Sequence, residues 1–182
     1  MKTTTITLIS VLASLAIVLR ILKNIIFGTF QFINIPLVFV LFTSYYFGSK
    51  ISSIIGILAF TISDLYIGVG IWTITNTLIV TSLSFLASLT RKIKSRIYLF
   101  IFFYLISLIY DILSSLILYI VFGLTFTNAL LFSIIGLFIP IQGGYMIGIG
   151  PLTETSTALT TVLMIHGVRK RIKITDISPN TS

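Results

Sequence analysis

Long apolar stretches alternate with short polar breaks along the chain, near residues 4–22, 30–47, 51–67, 72–90, 97–122 and 152–168. Each is long enough, or nearly so, to cross a hydrocarbon core of about 30 Å as a helix. The pattern predicts an all-α integral membrane protein with six transmembrane helices in one domain, residues 1–173. A polar tail, 174–182, follows with the composition of a disordered segment. Residues 126–150, "FTNALLFSIIGLFIPIQGGYMIGIG", contain an apolar piece that a seventh span would require. Pro140, the Gly143-Gly144 pair, Gly148 and Gly150 break helix continuity there, so 123–150 reads as a long, partly re-entrant outer loop between helices five and six.

Charge placement supports six spans over seven. With six spans and both termini cytoplasmic, Lys2, Lys50, "RKIKSR" (Arg91, Lys92, Lys94, Arg96) and "RKRIK" (Arg169, Lys170, Arg171, Lys173) all face inward. Ten basic residues then lie inside and two, Arg20 and Lys23, outside. A seventh span would separate the two basic clusters across the membrane and violate the positive-inside rule. The composition agrees, with 57% hydrophobic residues, 9% charged residues and a mean hydropathy of +1.15. The net charge of +8 flanks the apolar spans, which reads as membrane orientation and not as a nucleic-acid surface. Lys2 and the Thr-rich start run into the first span without a small-residue cleavage site, so no cleavable signal is expected.

This topology assigns a depth to each polar residue, and the larger polar groups collect at the outer side. Arg20, Lys23 and Asn24 end span one, Gln31 and Asn34 begin span two, and Asp64 ends span three. Trp72 and Asn76 begin span four, Gln142 lies in the last loop, and Glu154 begins span six. Residues drawn from every part of the chain thus point to one outward-facing polar pocket. Ser49, Ser52, Gly56, Ala59 and Ser63 recur at helical spacing and give span three a small-residue face. Thr73, Thr77, Thr81, Ser84 and Ser88 form a stripe on span four, and Tyr104, Ser107, Asp111 and Ser114 form one on span five. Such stripes are expected to face the bundle, because lipid offers a hydroxyl or carboxylate no partner.

Each acid has two readings. Asp64 costs roughly 2.5–3.5 kcal/mol at a helix centre and less near an interface, so it calls for a ligand or for an ion pair with Arg20 or Lys23. Asp111 lies deeper and reads as a ligand contact or proton site, or as a protonated acid hydrogen-bonded within its own stripe. Glu154, three residues after Pro151, reads as a ligand group or as an acid stabilised by a helix N-terminus. Trp72 suits an interfacial aromatic belt, and its closeness to Asp64 and Asn76 also allows stacking on a ligand. His166 reads as a packed or headgroup-facing histidine.

Catalytic signals are missing. The chain has no phosphate-binding loop, nucleophile elbow or zinc-binding H-E-x-x-H, and a lone histidine disfavours a His-based dyad or metal cluster. Zero cysteines exclude disulfides and thiol nucleophiles. No enzymatic activity, cofactor or metal is expected of this chain. Active transport would need nucleotide hydrolysis in another subunit.

The segment "INIPLVFVLFTSYYFGSKISSIIGILAFTISDL", residues 33–65, carries the most specific resemblance. A helix opening with proline (Pro36) leads to an aromatic-glycine turn (Phe47-Gly48), then to a glycine-containing helix (Gly56) that ends in an acid (Asp64). With the final "GPLTETSTALTTVLM", it resembles the substrate-binding S component of energy-coupling factor (ECF) vitamin transporters, over residues 1 to about 173. The resemblance implies capture of a small water-soluble vitamin or related micronutrient from outside. It also implies docking on a membrane T component driven by two cytoplasmic ATPases. The family docks through small residues on the first helix, commonly Ala-x-x-x-Ala; this chain departs from that, with Ser10 and Ser14 at the required spacing and Ala13 beside them. The alternative is a non-transport structural or assembly subunit whose buried charges only tie helices together.

Overall fold

Asn34 and Pro36 fix where the second helix begins, and they show how local sequence sets the element boundaries. The Asn34 side chain accepts a hydrogen bond from the Leu37 N–H at 3.2 Å, and the proline sits in the first turn, where its missing N–H is harmless. The computed structural model describes residues 3–28, 30–138, 141–143, 146–148 and 150–171, with backbone alone for the two segments between 141 and 148. The described residues form seven α-helices: α1 (Thr3–Phe27), α2 (Ile35–Phe47), α3 (Ser49–Ile67), α4 (Ile71–Ser88), α5 (Arg96–Val121), α6 (Phe126–Ile135) and α7 (Gly150–Arg171). A 3-10 turn, Leu89–Lys92, extends α4. Three short strands, β1 (Phe30–Gln31), β2 (Ile141–Gly143) and β3 (Met146–Gly148), form a sheet in the order β1-β3-β2. β1 runs parallel to β3, and β2 runs antiparallel to it.

The all-α expectation holds, with differences in detail. Among the described residues, four helices are long and apolar enough to cross a membrane: α1, α3, α4 with its 3-10 extension, and α5; α7, which covers the expected sixth span, is not one of them. The stretch expected as one span over 30–47 divides into β1 and a 13-residue α2, which rises about 20 Å and falls short of a full hydrocarbon core. Residues 123–150, expected as a loop, contain the ten-residue α6, which turns at Gly123 and packs back along α5. Pro140, Gly144 and the tail 174–182 lie outside the described residues. Large apolar side chains stand exposed along α1 (Ile6, Val11, Val18, Ile25), α4 (Ile74, Leu78) and α5 (Ile97, Ile101), a surface suited to lipid and not to water.

α3 is the centre of the bundle and packs against α1, α2 and α4. The small-residue face expected on it is buried at Ser52, Gly56, Ala59 and Ser63. The chain turns from α2 into α3 on the single residue Gly48, whose φ of +86° lies in the region that favours glycine. On α4, Thr73 and Ser84 are buried, and Ser84 meets Ser53 of α3 at 2.5 Å. Thr77, Thr81 and Ser88 of the same stripe instead bond carbonyls of their own helix.

The basic clusters gather at one end. Arg169 of α7 donates to the Ile93 and Lys94 carbonyls at 2.9 and 2.8 Å and to the Tyr45 hydroxyl, and its guanidinium lies 5.0 Å from the Tyr45 ring centre. Arg91 reaches the Tyr46 carbonyl. The C-termini of α2, α4 and α7 and the start of α5 therefore meet on one side. Arg169→Ala should lower stability by about 2 kcal/mol through these lost charge-assisted bonds. Arg169→Lys should recover only part, because one ammonium cannot reproduce the planar fork. Melting of the two purified variants checks the ranking, and equal losses would show that the fork does not matter.

Candidate functional site: a buried polar layer

At the end opposite the basic clusters, six helices contribute polar groups to one layer. Its first part is built on α1, α3 and α4. Arg20 Nη2 lies 2.7 Å from Asp64 Oδ1, with the side chains 11% and 1% exposed. Arg20 Nη1 donates to the Ser63 hydroxyl at 2.5 Å, and its guanidinium stands 4.9 Å from the Phe60 ring centre. The second Asp64 oxygen, Oδ2, accepts from the Thr73 hydroxyl at 2.7 Å, and Thr73 in turn accepts from the Gly70 N–H. Of the roles left open for Asp64, the ion pair with Arg20 is the one the geometry shows, and both of its oxygens are engaged. Lys23 is directed elsewhere and donates to the side chain of Gln31.

The second part lies on α2, α5 and α7. Phe60 stacks on Tyr110 at 6.0 Å, so guanidinium, phenyl and phenol rings form a column from α1 through α3 to α5. The Tyr110 hydroxyl is turned towards Asn34, within electrostatic reach of Asp111 and of the Arg20–Asp64 pair. The Asn34 backbone N–H donates to the Thr157 hydroxyl at 3.0 Å, and Thr153 donates to the Gln31 carbonyl at 2.7 Å. These bonds tie the first turns of α7 to the start of α2.

Glu154 stands one turn into α7 and is 0% exposed. It faces the Tyr104 hydroxyl and is close enough to Asp111 for their charges to interact. The Tyr104 hydroxyl is its polar neighbour, but neither carboxylate oxygen meets a donor in full hydrogen-bond geometry among the described residues. The Ser107 hydroxyl, on the same face of α5 as Tyr104 and Asp111, is 2% exposed and also without a partner. A buried polar group normally has its bonds satisfied, so two unsatisfied groups in one layer mark a place where something is expected to bind.

The layer thus brings together Arg20, Asn34, Asp64, Asp111 and Glu154 of the residues expected in a pocket. Trp72 does not join it. Its ring is 40% exposed and folds back over Gly70, with Nε1 donating to the Gly68 carbonyl at 3.2 Å, a placement suited to an interfacial aromatic. Asn76, one turn further along α4, is half-buried. Gln142 is placed in β2 opposite Ile147 by its backbone, and its side chain lies outside the described residues. Sequence reasoning missed Tyr110, Phe60 and Thr157. The signal for Thr157 was the run Glu154, Thr157, Thr161 at helical spacing, all three fully buried.

On α1, Ile9, Ala13 and Ala16 pack against Ile55 and Ala59 of α3. Ala13 is therefore withdrawn from any docking face, because its small side chain serves the close approach of α1 to α3. Ser10 and Ser14 stand exposed. Comparison with protein-family models, curated proteins and solved structures finds no match to this chain.

Proposed function

We propose that this chain is a substrate-binding membrane subunit of the ECF type, which captures a small water-soluble vitamin or related micronutrient for uptake energised by partner subunits. The observation that carries the reading is the unsatisfied Glu154 carboxylate, buried in a polar layer at the end away from the basic clusters. In this reading the chain is a multi-pass protein of the cell membrane, with six crossings, both termini cytoplasmic and α6 re-entrant. The basic ends face the cytoplasm, as the positive-inside rule requires, and the polar layer lies towards the outer face. The resemblance over residues 33–65 supports the division of labour. A membrane T component would dock on the exposed Ser10 and Ser14 face of α1, and two cytoplasmic ATPases would hydrolyse the nucleotide.

The test is direct. Protein purified in detergent should be stabilised by one member of a panel containing thiamine, pyridoxamine, pyridoxine, riboflavin, biotin, cobalamin and a deazapurine, because a ligand that binds the native state raises its melting temperature. A folded protein indifferent to the whole panel would overturn the reading. The second reading, a structural or assembly subunit, is favoured by the complete pairing of Asp64 with Arg20 and Thr73. It expects no stabilisation by any ligand and no uptake defect in a Glu154→Gln variant.

A further inference from the structure

We infer that the ligand of this layer carries a positively charged nitrogen, seated between Glu154 of α7 and Asp111 of α5 beside the hydroxyls of Tyr104 and Ser107. The inference rests on the proposed function and specifies its substrate class.

Charge accounting within the layer leads there. Its basic group, Arg20, is spent on Asp64 at 2.7 Å. That pair is the salt bridge found among the described residues, and neither Glu154 nor Asp111 belongs to it. Lys23, the other basic residue near this end, bonds Gln31. Two carboxyl groups from separate helices are thus left together without a cation among the described residues, one of them fully buried and met by the Tyr104 hydroxyl without full hydrogen-bond geometry. A buried carboxylate is tolerated when an opposite charge or several donors meet it. An anionic ligand would add like charge to this pair, and a neutral ring without donors would leave Glu154 as it is. An ammonium, amidinium or quaternary nitrogen supplies what both acids lack. Ser107, whose hydroxyl is also unpartnered, supplies a polar contact one turn from each of Tyr104 and Asp111 on the same helix face.

The layer also carries an internal control. Asp64 sits with its cation already in place, whereas Glu154 and Asp111 do not, so the same layer holds one matched and one unmatched acidic position. Only the unmatched one should respond to ligand charge.

The experiment compares ligands of different net charge, with pyridoxamine and pyridoxine as the pair nearly matched in shape. Thiamine, with a permanent cation, and pyridoxamine, protonated at neutral pH, are titrated against the purified protein beside pyridoxine, riboflavin and biotin, and melting temperature is followed. A cationic probe should stabilise the protein, with pyridoxamine favoured over pyridoxine at least tenfold if the pyridine ring is the one accepted. Glu154→Gln should weaken the cationic probe at least tenfold while raising the melting temperature of the ligand-free protein, since the unmatched charge is removed. Stabilisation by riboflavin, biotin or pyridoxine with none by the cations would overturn the inference and leave the proposed function standing. Indifference to the entire panel would remove both. Should Glu154→Gln not fold, the order of the probes on the unaltered protein still decides.

Discussion

Asp64→Ala is expected to lower the melting temperature of the purified protein by about 10 °C, and Arg20→Ala by a similar amount. Each change strands the other member of a pair that is almost wholly removed from solvent. Removing one partner of such a pair typically costs about 3–5 kcal/mol, because an uncompensated charge is left inside. For a chain of this size each kcal/mol corresponds to roughly 2–4 °C. Asp64→Asn should fall between, since the amide keeps a carbonyl acceptor for the Thr73 hydroxyl while losing the attraction to Arg20. The decisive variant is the double replacement Arg20→Met with Asp64→Leu. It removes both charges and keeps apolar volume, so most of the lost stability should return. A double variant no more stable than the single ones would show that the two residues do not act as a pair. Where vitamin-dependent uptake is measurable, the restored double variant should retain it, because the geometry gives Asp64 a helix partner in Arg20 and a hydroxyl in Thr73.

How much of this was readable in the sequence differs between elements for physical reasons. The junction of α2 and α3 was legible because turning is local chemistry, with Phe47-Gly48 separating the two helices, whereas the start of α2 lay five residues beyond the expected start of its span. The small face of α3 was legible because its residues repeat at the helical period. The partner of Asp64 was not, because Arg20 and Lys23 lie three residues apart on one helix and both point broadly the same way. Only the packing of α1 against α3 through Ala13, Ala16 and Ala59 settles which reaches the acid.

Glu154 was harder still. Residues 153–157 read Thr-Glu-Thr-Ser-Thr, so five successive polar residues define no face and conceal the rotation of α7. An acid after Pro151 could then be read as a ligand group or as an acid stabilised by a helix start, and the contacts Thr153–Gln31 and Asn34–Thr157 are what turn it inward. The sheet and α6 were illegible for another reason. β1 is two residues long and pairs with β3 more than a hundred residues away, and α6 is too short to be counted by span length.

Gly56→Leu should be the most damaging single change in the apolar part of the bundle, with no folded, monodisperse protein recovered in detergent. A Cβ at this position would lie 2.7 Å from Val40 Cγ2 and 2.9 Å from Val80 Cγ1. Both valines are fully buried and are held by their branched side chains to few rotamers, so neither can step aside. Overpacking by a single methyl typically costs about 1–3 kcal/mol, and leucine adds three carbons more. Gly56→Ala is the informative milder variant, because alanine gains about 1 kcal/mol of helix propensity and so offsets part of its own clash. Its net loss should be small, and Val80→Ala in the same chain should reverse the clash by making room. Wild-type stability in Gly56→Leu would show that α2 and α4 do not close on α3 at this point. Their closure matters to the polar layer as well: α2 carries Asn34, α4 carries Thr73, and both meet partners that α3 and α7 hold at the same level. Gly56→Ala protein that still folds should therefore bind its ligand more weakly than the unaltered chain, although Gly56 lies two turns from Asp64 and touches no polar group of the site.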